Sequence, residues 1–226
     1  MKKIIFDTDI GCDCDDVGAL CVLLTAERRG VCELAAVTIS SPYETAPGCV
    51  GAILRQYGRE GVPIGSLCSP SETYYPHGDM YSAGVAEAFP NGAAPVTDAV
   101  SLIRAVLAGS DEKVTLLATG PLPNIYAFLR SKPDEISPLD GVTLAMRKID
   151  EIVLMGGWIE PFEGTEQPQP EFNIVCDIKS AKGVFESSPV PVTVLPFEAG
   201  LRVYSGGKMI EKYGREQPSS LAYILH

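Results

Sequence analysis

The chain has 226 residues, 46% of them hydrophobic, which is enough apolar material to bury a sizeable core. Acidic residues outnumber basic residues 29 to 18, and the net charge is -11. This excess of negative charge opposes binding to nucleic acids or anionic membranes, so we expect a small-molecule or cationic partner. We expect residues 1–226 to form one domain.

The cysteines and the N-terminus indicate the compartment. The seven cysteines are scattered, and an odd number argues against a disulfide framework. Cys12 and Cys14 are too closely spaced for a usual zinc pair. The apolar run after the N-terminal lysines is too short for a signal peptide, and no stretch reaches transmembrane length. These features predict a cytoplasmic protein.

Apolar runs rich in β-branched residues alternate with helical segments, which predicts an α/β fold with a doubly wound, mostly parallel sheet and helices on both faces. In chain order the predicted elements are strand 3–8, helix 16–27, strand 33–39, helix 46–57, strand 62–67, helix 97–108, strand 113–118, helix 124–130, strand 151–155, helix 178–185, strand 191–195 and a helical tail from 207 onward. Two long irregular stretches, 69–96 and 158–172, are expected to be functional or mobile loops.

The segment FDTDIGCDCDD follows the first predicted strand and places five carboxylates within ten residues. Asp7 and Asp9 stand at the strand's end, while Asp15 or Asp16 is expected to cap the next helix. Two unit charges 4 Å apart repel by about 4 kcal/mol at an effective dielectric of roughly 20, so the cluster needs a cation, protons or open water. Such a density of oxygen ligands favours calcium over magnesium. A solvated acidic turn is the alternative.

Ligands bind beyond the carboxyl ends of parallel strands, so the segments that follow other strands are also candidates. In ATGPLPN, the carbonyl of Thr119 can turn toward a metal, and Asn124 is expected to cap a helix; an ordinary strand-to-helix turn would read the same. Thr97 is expected to start the preceding helix as its cap. In PEFNIVCD, Glu171 and Asn173 suit a polyol, although helix capping is the competing interpretation.

The remaining candidates are less specific. His77 lies in the polar, aromatic stretch YYPHGDMY, where it either contacts a ligand or is an exposed loop histidine. Met155 and Trp158 either line a pocket of the size of a base or belong to the core. Asp177 fits a helix cap.

In their order and spacing, DTDIGCDCDD, TGPLPN, IVLMGG and EFNIVCD together resemble the inosine-uridine-preferring nucleoside hydrolases. The resemblance implies a calcium ion at the carboxyl edge of the sheet, which holds the ribose 2′- and 3′-hydroxyls and a nucleophilic water. It implies hydrolysis of the N-glycosidic bond of ribonucleosides to free base and ribose, in purine and pyrimidine salvage. By this resemblance Asp9 is a calcium ligand and the general base, Asp16 a bidentate calcium ligand, and Thr119 a carbonyl ligand.

The resemblance also assigns ribose contacts to Asp15, Met155, Glu171 and Asn173. The first motif of the family usually reads D-x-D-x-G-x-D-D, whereas this chain has two extra residues before the final pair. Asp13 therefore competes with Asp15 for its role. Where relatives often have Asn after the second strand, this chain has Ser40 and Ser41.

Family members run longer and supply a further Asp ligand from their C-terminal part, whereas this sequence ends at SSLAYILH. The resemblance therefore implies a C-terminally short domain: either the sequence is a truncated form, or its calcium site is completed by water, by Glu198 or by another subunit. We expect a homo-oligomer, because missing C-terminal helices would leave an apolar edge exposed.

Two alternatives to the hydrolase remain open. The first is a catalytically weakened relative that binds a nucleoside or ribose without turnover. The second is a phosphatase of the haloacid dehalogenase type, which also begins with an apolar strand and D-x-D. Ile10 and Gly11 fit that second pattern poorly, since it requires Thr or Val shortly after the second Asp.

Overall fold

The computed structural model of the chain describes residues 1–67, 76–90, 96–161 and 166–203. In chain order its elements are β1 (Lys2–Thr8), α1 (Asp15–Arg28), β2 (Cys32–Ile39), α2 (Ala46–Gln56), β3 (Ile64–Ser66), α3 (Ser82–Ala88), β4 (Thr97–Asp98), α4 (Ala99–Gly109), β5 (Val114–Ala118), α5 (Pro123–Leu129), α6 (Gly141–Lys148), β6 (Ile149–Met155), α7 (Phe172–Cys176), α8 (Ile178–Ser187), β7 (Val192–Leu195) and α9 (Phe197–Gly200). Among the described residues, no helix has the length and apolar character needed to cross a membrane.

The strands form one parallel sheet in the order β4-β3-β2-β1-β5-β6-β7. This order confirms the predicted doubly wound α/β fold. The chain moves outward from β1 in one direction through β4 and then in the other through β7. The carboxyl end of β1, where the acidic segment begins, therefore lies at the topological switch point, where such sheets open a crevice.

Helices on the two faces of the sheet bury separate hydrophobic clusters. Ile5 and Phe6 are neighbours on β1 yet belong to different clusters, because successive strand residues point to opposite faces. Phe6 packs in the same cluster as Leu20 of α1 and Val50 of α2, whereas Ile5 shares its cluster with Phe128 of α5. The central strand is thus buried on both faces, and this fixes the position of the acids that follow it.

The six predicted strands all occur, with ends shifted by no more than about two residues, as is usual for boundaries read from sequence. β4 was missed because its two residues were assigned to the following helix. α3 was missed inside the stretch 69–96, which was predicted to be irregular, because SAGVAEA has almost no apolar periodicity. α6, α7 and α9 were also missed, and the predicted tail from 207 lies outside the described residues.

The predicted caps of α1 and α5 were wrong. The cap position of α1 is Cys14, whose side chain makes no capping hydrogen bond among the described residues. Asp15 and Asp16 lie in the first turn of the helix. α5 begins at Pro123, and the Asn124 side chain points instead to the end of β1. In both cases a polar side chain that could cap a helix has other partners: Asn124 binds Asp7 of β1, and Asp16 accepts from the Thr8 and Thr119 hydroxyls.

Two further caps test the same rule. α4 is capped by Asp98, whose carboxylate accepts from the Ser101 amide at 2.8 Å, and not by Thr97 as predicted. Asp177 caps α8 as predicted, accepting from the Ser180 amide at 2.9 Å. A carboxylate oxygen reaches the third helical amide from the cap position, which is why Asp is preferred there.

Candidate active site

Asp7, the next-to-last residue of β1, is fully buried and forms hydrogen bonds with β2 and α5. Its Oδ1 accepts from Thr38 Oγ1 of β2 at 2.5 Å and from Asn124 Nδ2 of α5 at 2.8 Å. Burial raises the pKa of Asp7 to about 7. Asp7 Oδ2 and Asn124 Oδ1 are buried without a hydrogen-bond partner among the described residues. Asp7 therefore anchors the end of the strand and does not line the cavity described below.

Asp9 and Asp16 are both buried and form a hydrogen bond with each other. Asp16 Oδ1 also accepts from the hydroxyls of Thr8 and Thr119, each at 2.5 Å. Burial and the charge of Asp16 raise the pKa of Asp9 well above its usual value, and burial raises the pKa of Asp16. Two buried carboxyl groups this close require a proton or a cation between them.

Asp13 and Asp15 extend this pair into a four-carboxylate cluster at the mouth of the crevice. One carboxylate oxygen from each of Asp13, Asp15 and Asp16 lies within 4.8 Å of the other two. Burial and a hydrogen bond to Asp15 raise the pKa of Asp13 to about 7. Oxygens bound about 2.3–2.6 Å from one calcium ion must lie within roughly 5 Å of one another. The spacing and the all-oxygen donor set therefore fit a hard divalent cation.

Gly120 allows the turn after β5 to pass directly against Asp9. A Cβ atom at Gly120 would lie 2.6 Å from Asp9 Oδ1, closer than nonbonded atoms approach. The backbone amide of Thr119 donates to the Asp7 carbonyl at 2.9 Å, which holds this turn beside β1. The glycine of the TGP sequence is thus a packing requirement of the acidic cluster.

The opposite wall is organised by Glu171, which caps α7. Its Oε1 accepts from the Asn173 amide and its Oε2 from the Gly157 amide, both at 2.9 Å. The Asn173 side-chain Nδ2 in turn donates to the carbonyl of Thr119 at 2.9 Å and to that of Met155 at 3.2 Å. These bonds join α7 to the carboxyl ends of β5 and β6. The Thr119 carbonyl retains a second lone pair.

The acids and this wall enclose a cavity of about 320 Å³. Its lining residues come from β1, α1, β5, β6, α7 and α9 with their adjoining loops: Asp9, Asp13, Asp15, Asp16, Thr119, Met155, Trp158, Pro170, Glu171, Phe172, Asn173 and Phe197. Each residue assigned by resemblance to calcium or ribose is in this set. His77 is outside this lining, and its ring stacks on Phe172 with centroids 6.1 Å apart.

An apolar wall of the cavity was only partly anticipated. The sequence left open whether Trp158 lines a pocket or belongs to the core. In the structure it lines the cavity and packs on Phe197, with ring centroids 4.7 Å apart. Phe197 and Pro170 were missed. Phe197 follows an edge strand and Pro170 lies in a proline-rich loop, so nothing local in their sequence distinguishes them from surface residues. Only the folding of β6 and β7 side by side brings Phe197 to Trp158.

Glu198 does not complete the metal site in this structure. Its Oε1 accepts from the amides of Ile159 at 3.1 Å and Glu160 at 2.9 Å, and it is not among the residues that line the cavity. Burial acts to raise the pKa of Glu198, but hydrogen bonds from backbone amides lower it overall. Its carboxylate holds the loop that carries Trp158.

Ser40 and Ser41 form hydrogen bonds with the backbone next to Asp9. Both are buried; Ser40 Oγ donates to the Thr8 carbonyl at 3.3 Å and Ser41 Oγ to the Ile10 carbonyl at 3.1 Å. Neither is among the residues that line the cavity. The two hydroxyls therefore brace the chain on either side of Asp9.

Comparison with known proteins identifies the family of this chain. The family model described as "Inosine-uridine preferring nucleoside hydrolase" matches residues 4–224. The pyrimidine-specific ribonucleoside hydrolase RihA of Citrobacter koseri is 32% identical over 88% of this chain, which spans 60% of that relative. RihA of an Enterobacter species is 31% identical over 98% of this chain, which spans 69% of it.

A solved structure gives the same assignment at the level of fold. The inosine-uridine preferring nucleoside hydrolase from Bacillus anthracis matches all of this chain and 74% of its own, with a TM-score of 0.75 and 22% identity. All of these matches are nucleoside hydrolases, and none supports the phosphatase alternative. Because the family model covers almost the whole chain and the relatives exceed 30% identity, the chain belongs to the inosine-uridine preferring nucleoside hydrolase family.

Proposed function

We propose that this chain binds calcium at the acidic cluster and hydrolyses the N-glycosidic bond of ribonucleosides to free base and ribose. The observation that carries the proposal is one cavity of about 320 Å³ in which four carboxylates face Glu171, Asn173 and an aromatic wall. This volume is at the small end of ligand sites, as suits a single nucleoside. The two RihA relatives are pyrimidine-specific ribonucleoside hydrolases.

Asp9, Asp16 and the carbonyl of Thr119 would hold the cation, with Asp13 and Asp15 at the edge of the same cluster. When bound, calcium supplies a positive centre that grips the sugar diol and lowers the pKa of a water molecule. The hydroxyls of Thr8 and Thr119 keep Asp16 in place by binding one of its oxygens.

Asp9 is the proposed general base, which takes the proton of the attacking water. Its carboxyl group is buried and is confined by the backbone of Gly120 on one side and by Asp16 on the other. Breaking the glycosidic bond leaves positive charge on the sugar ring, so the surrounding carboxylates also stabilise the transition state.

Glu171 and Asn173 are the proposed ribose contacts, and the structure limits what each can offer. The Nδ2 group of Asn173 already donates to two backbone carbonyls, so its Oδ1 remains to accept from a sugar hydroxyl. Glu171 Oε2 accepts from the amides of Gly157 and Ile174, whereas Oε1 accepts from the Asn173 amide and keeps a further lone pair. Both residues therefore act as acceptors for hydroxyl groups.

The apolar wall formed by Trp158, Phe172 and Phe197 is the proposed surface for the base. Aromatic rings stack on the flat face of a nucleobase without reading its edge, so the wall itself accommodates either a purine or a pyrimidine. The names of the RihA relatives make pyrimidine ribonucleosides the first substrates to test.

The decisive experiment measures calcium binding by calorimetry and release of reducing sugar from uridine, cytidine, inosine and adenosine. We expect ribose release that disappears with EDTA and returns with calcium. The exposed carboxylate of Asp111 offers a matched control, because D111N removes a charge just before β5, at the opposite end of that strand from Thr119. Nucleoside binding without ribose release would favour the non-catalytic alternative, and the absence of calcium binding would overturn the proposal.

A further inference from the structure

The acidic loop from Gly11 to Asp13 is held by residues at the start of α3. The amide of Met80 donates to the Gly11 carbonyl at 2.8 Å. The hydroxyl of Tyr81 accepts from the Gly11 amide at 3.1 Å and donates to the Asp13 carbonyl at 2.6 Å. A single phenol oxygen thus spans the loop as both acceptor and donor, which a purely donating side chain such as Lys, Arg or Trp cannot do.

Tyr81 is itself fixed by Asp79. The Asp79 carboxylate accepts from the amides of Tyr81, Ser82 and Ala83 at 3.2, 2.7 and 3.1 Å. It also accepts from Thr45 Oγ1 at 2.5 Å, at the start of α2. Asp79 therefore links the start of α3 to the start of α2, and it holds the backbone from which the Tyr81 ring extends.

The loop has little freedom on its other side. Gly11 has φ +126°, and a Cβ atom there would lie 2.6 Å from Cδ2 of Tyr43. The segment that is two residues longer than in the usual family motif lies between Gly11 and the Asp15–Asp16 pair, and it includes Asp13. Added chain length adds conformational freedom, which must be removed before a side chain can serve as a ligand.

We propose that Tyr81 is a positioning residue: its hydroxyl holds the Gly11–Asp13 loop so that the Asp13 carboxylate contributes to calcium binding. This inference rests on the proposed function. The supporting geometry is the pair of hydrogen bonds made by Tyr81 together with the approach of the Asp13 carboxylate to within 4.8 Å of those of Asp15 and Asp16. Tyr81 touches backbone and not the reacting atoms, so its effect is on the cation and not on the chemical step.

The test is calorimetric titration of the full chain with calcium chloride, for wild type, Y81F, D13N and the double variant. We expect Y81F to weaken calcium binding about tenfold, equivalent to about 1.4 kcal/mol. Because Tyr81 acts through Asp13, the double variant should bind calcium no more than about threefold more weakly than D13N alone. At saturating calcium, ribose release by Y81F should return to within about twofold of wild type, since its loss is in binding.

Y126F is the matched control, because Tyr126 lies on α5 and its hydroxyl contacts only Arg130 in the described hydrogen bonds. It should bind calcium as wild type does, and circular dichroism should show the same fold for all variants. If wild type binds calcium and Y81F or D13N binds it equally well, or if their losses add, the positioning role is overturned while the proposed function stands. If wild type does not bind calcium, both fall together.

Discussion

Asp9 is the residue on which the proposed chemistry depends. We predict that D9N lowers the rate of ribose release by about 10²–10⁴-fold, the usual contribution of a positioned general base. The amide has the shape of the carboxyl group, so the fold should persist, as thermal unfolding will show. The measurement is the reducing-sugar assay at saturating calcium and nucleoside. A loss smaller than about tenfold would assign the proton transfer to another group.

Gly120 tests how tightly Asp9 must be held. In G120A the new methyl group would collide with Asp9 Oδ1, at 2.6 Å, and displace the carboxylate. A misplacement of about 1 Å can cost roughly 10²-fold in rate, so we predict a loss of that order in ribose release. G109A is the control, because a Cβ atom there meets no described atom within 4 Å. Equal activities for the two variants would contradict the prediction.

At the level of single residues, the site was predictable only where chain position fixed it. Asp9 and Thr119 closely follow β1 and β5, and the carboxyl ends of parallel strands meet at one edge. Glu171 and Asn173 begin α7 after a long loop, and it was the resemblance to the family that assigned them to the ribose. Tyr81 follows no strand, and its role depends on contacts between segments about seventy residues apart that no local pattern records.

Among the elements, α4 is anchored by a buried arginine. Arg104 is 1% exposed, and its Nε and Nη2 donate to the Asp134 carboxylate at 2.7 and 2.8 Å. The side-chain hydrogen bond from Arg104 lowers the pKa of Asp134 to about 2. An acid whose pKa is lower in the folded state contributes stability above its unfolded value of about 4, and this stability is lost as the pH falls toward 2.

We therefore predict that D134N shows a weaker decline in the free energy of unfolding between about pH 4 and pH 2 than wild type. Urea unfolding at several pH values in this window is the measurement. At pH 7 the variant should be less stable than wild type, because Arg104 loses a charged partner. Parallel pH profiles for D134N and wild type would show that the pair does not govern acid stability.

The elements themselves were predicted according to the strength of their periodicity. The mostly apolar strand β2 and the apolar helix α2 were recognised because burial imposes a regular pattern. α3 was not, because it is short, rich in small residues, and held by Asp79 through hydrogen bonds. Helices stabilised by contacts outside themselves leave little signal in their own sequence.

For the whole molecule, calcium binding should appear as added stability. A ligand at 100 times its dissociation constant stabilises the folded state by about 2.7 kcal/mol, which for a chain of this size raises the melting temperature by roughly 5–10 °C. We predict such a rise when calcium is added after EDTA treatment, measured by scanning calorimetry. D16N, which lacks a central ligand of the cluster, should show almost none. An unchanged melting temperature in millimolar calcium would contradict a metal site.

The two walls of the cavity come from distant parts of the sequence: the acids follow β1, whereas Glu171 and Asn173 begin α7. A ribosome adds about 5–20 residues per second, so the acids leave the exit tunnel many seconds before the second wall has been made. A nascent chain arrested before α7 would carry the carboxylates without the facing wall of Glu171 and Asn173. The ability to capture a nucleoside would therefore be acquired only once α7 has been synthesised.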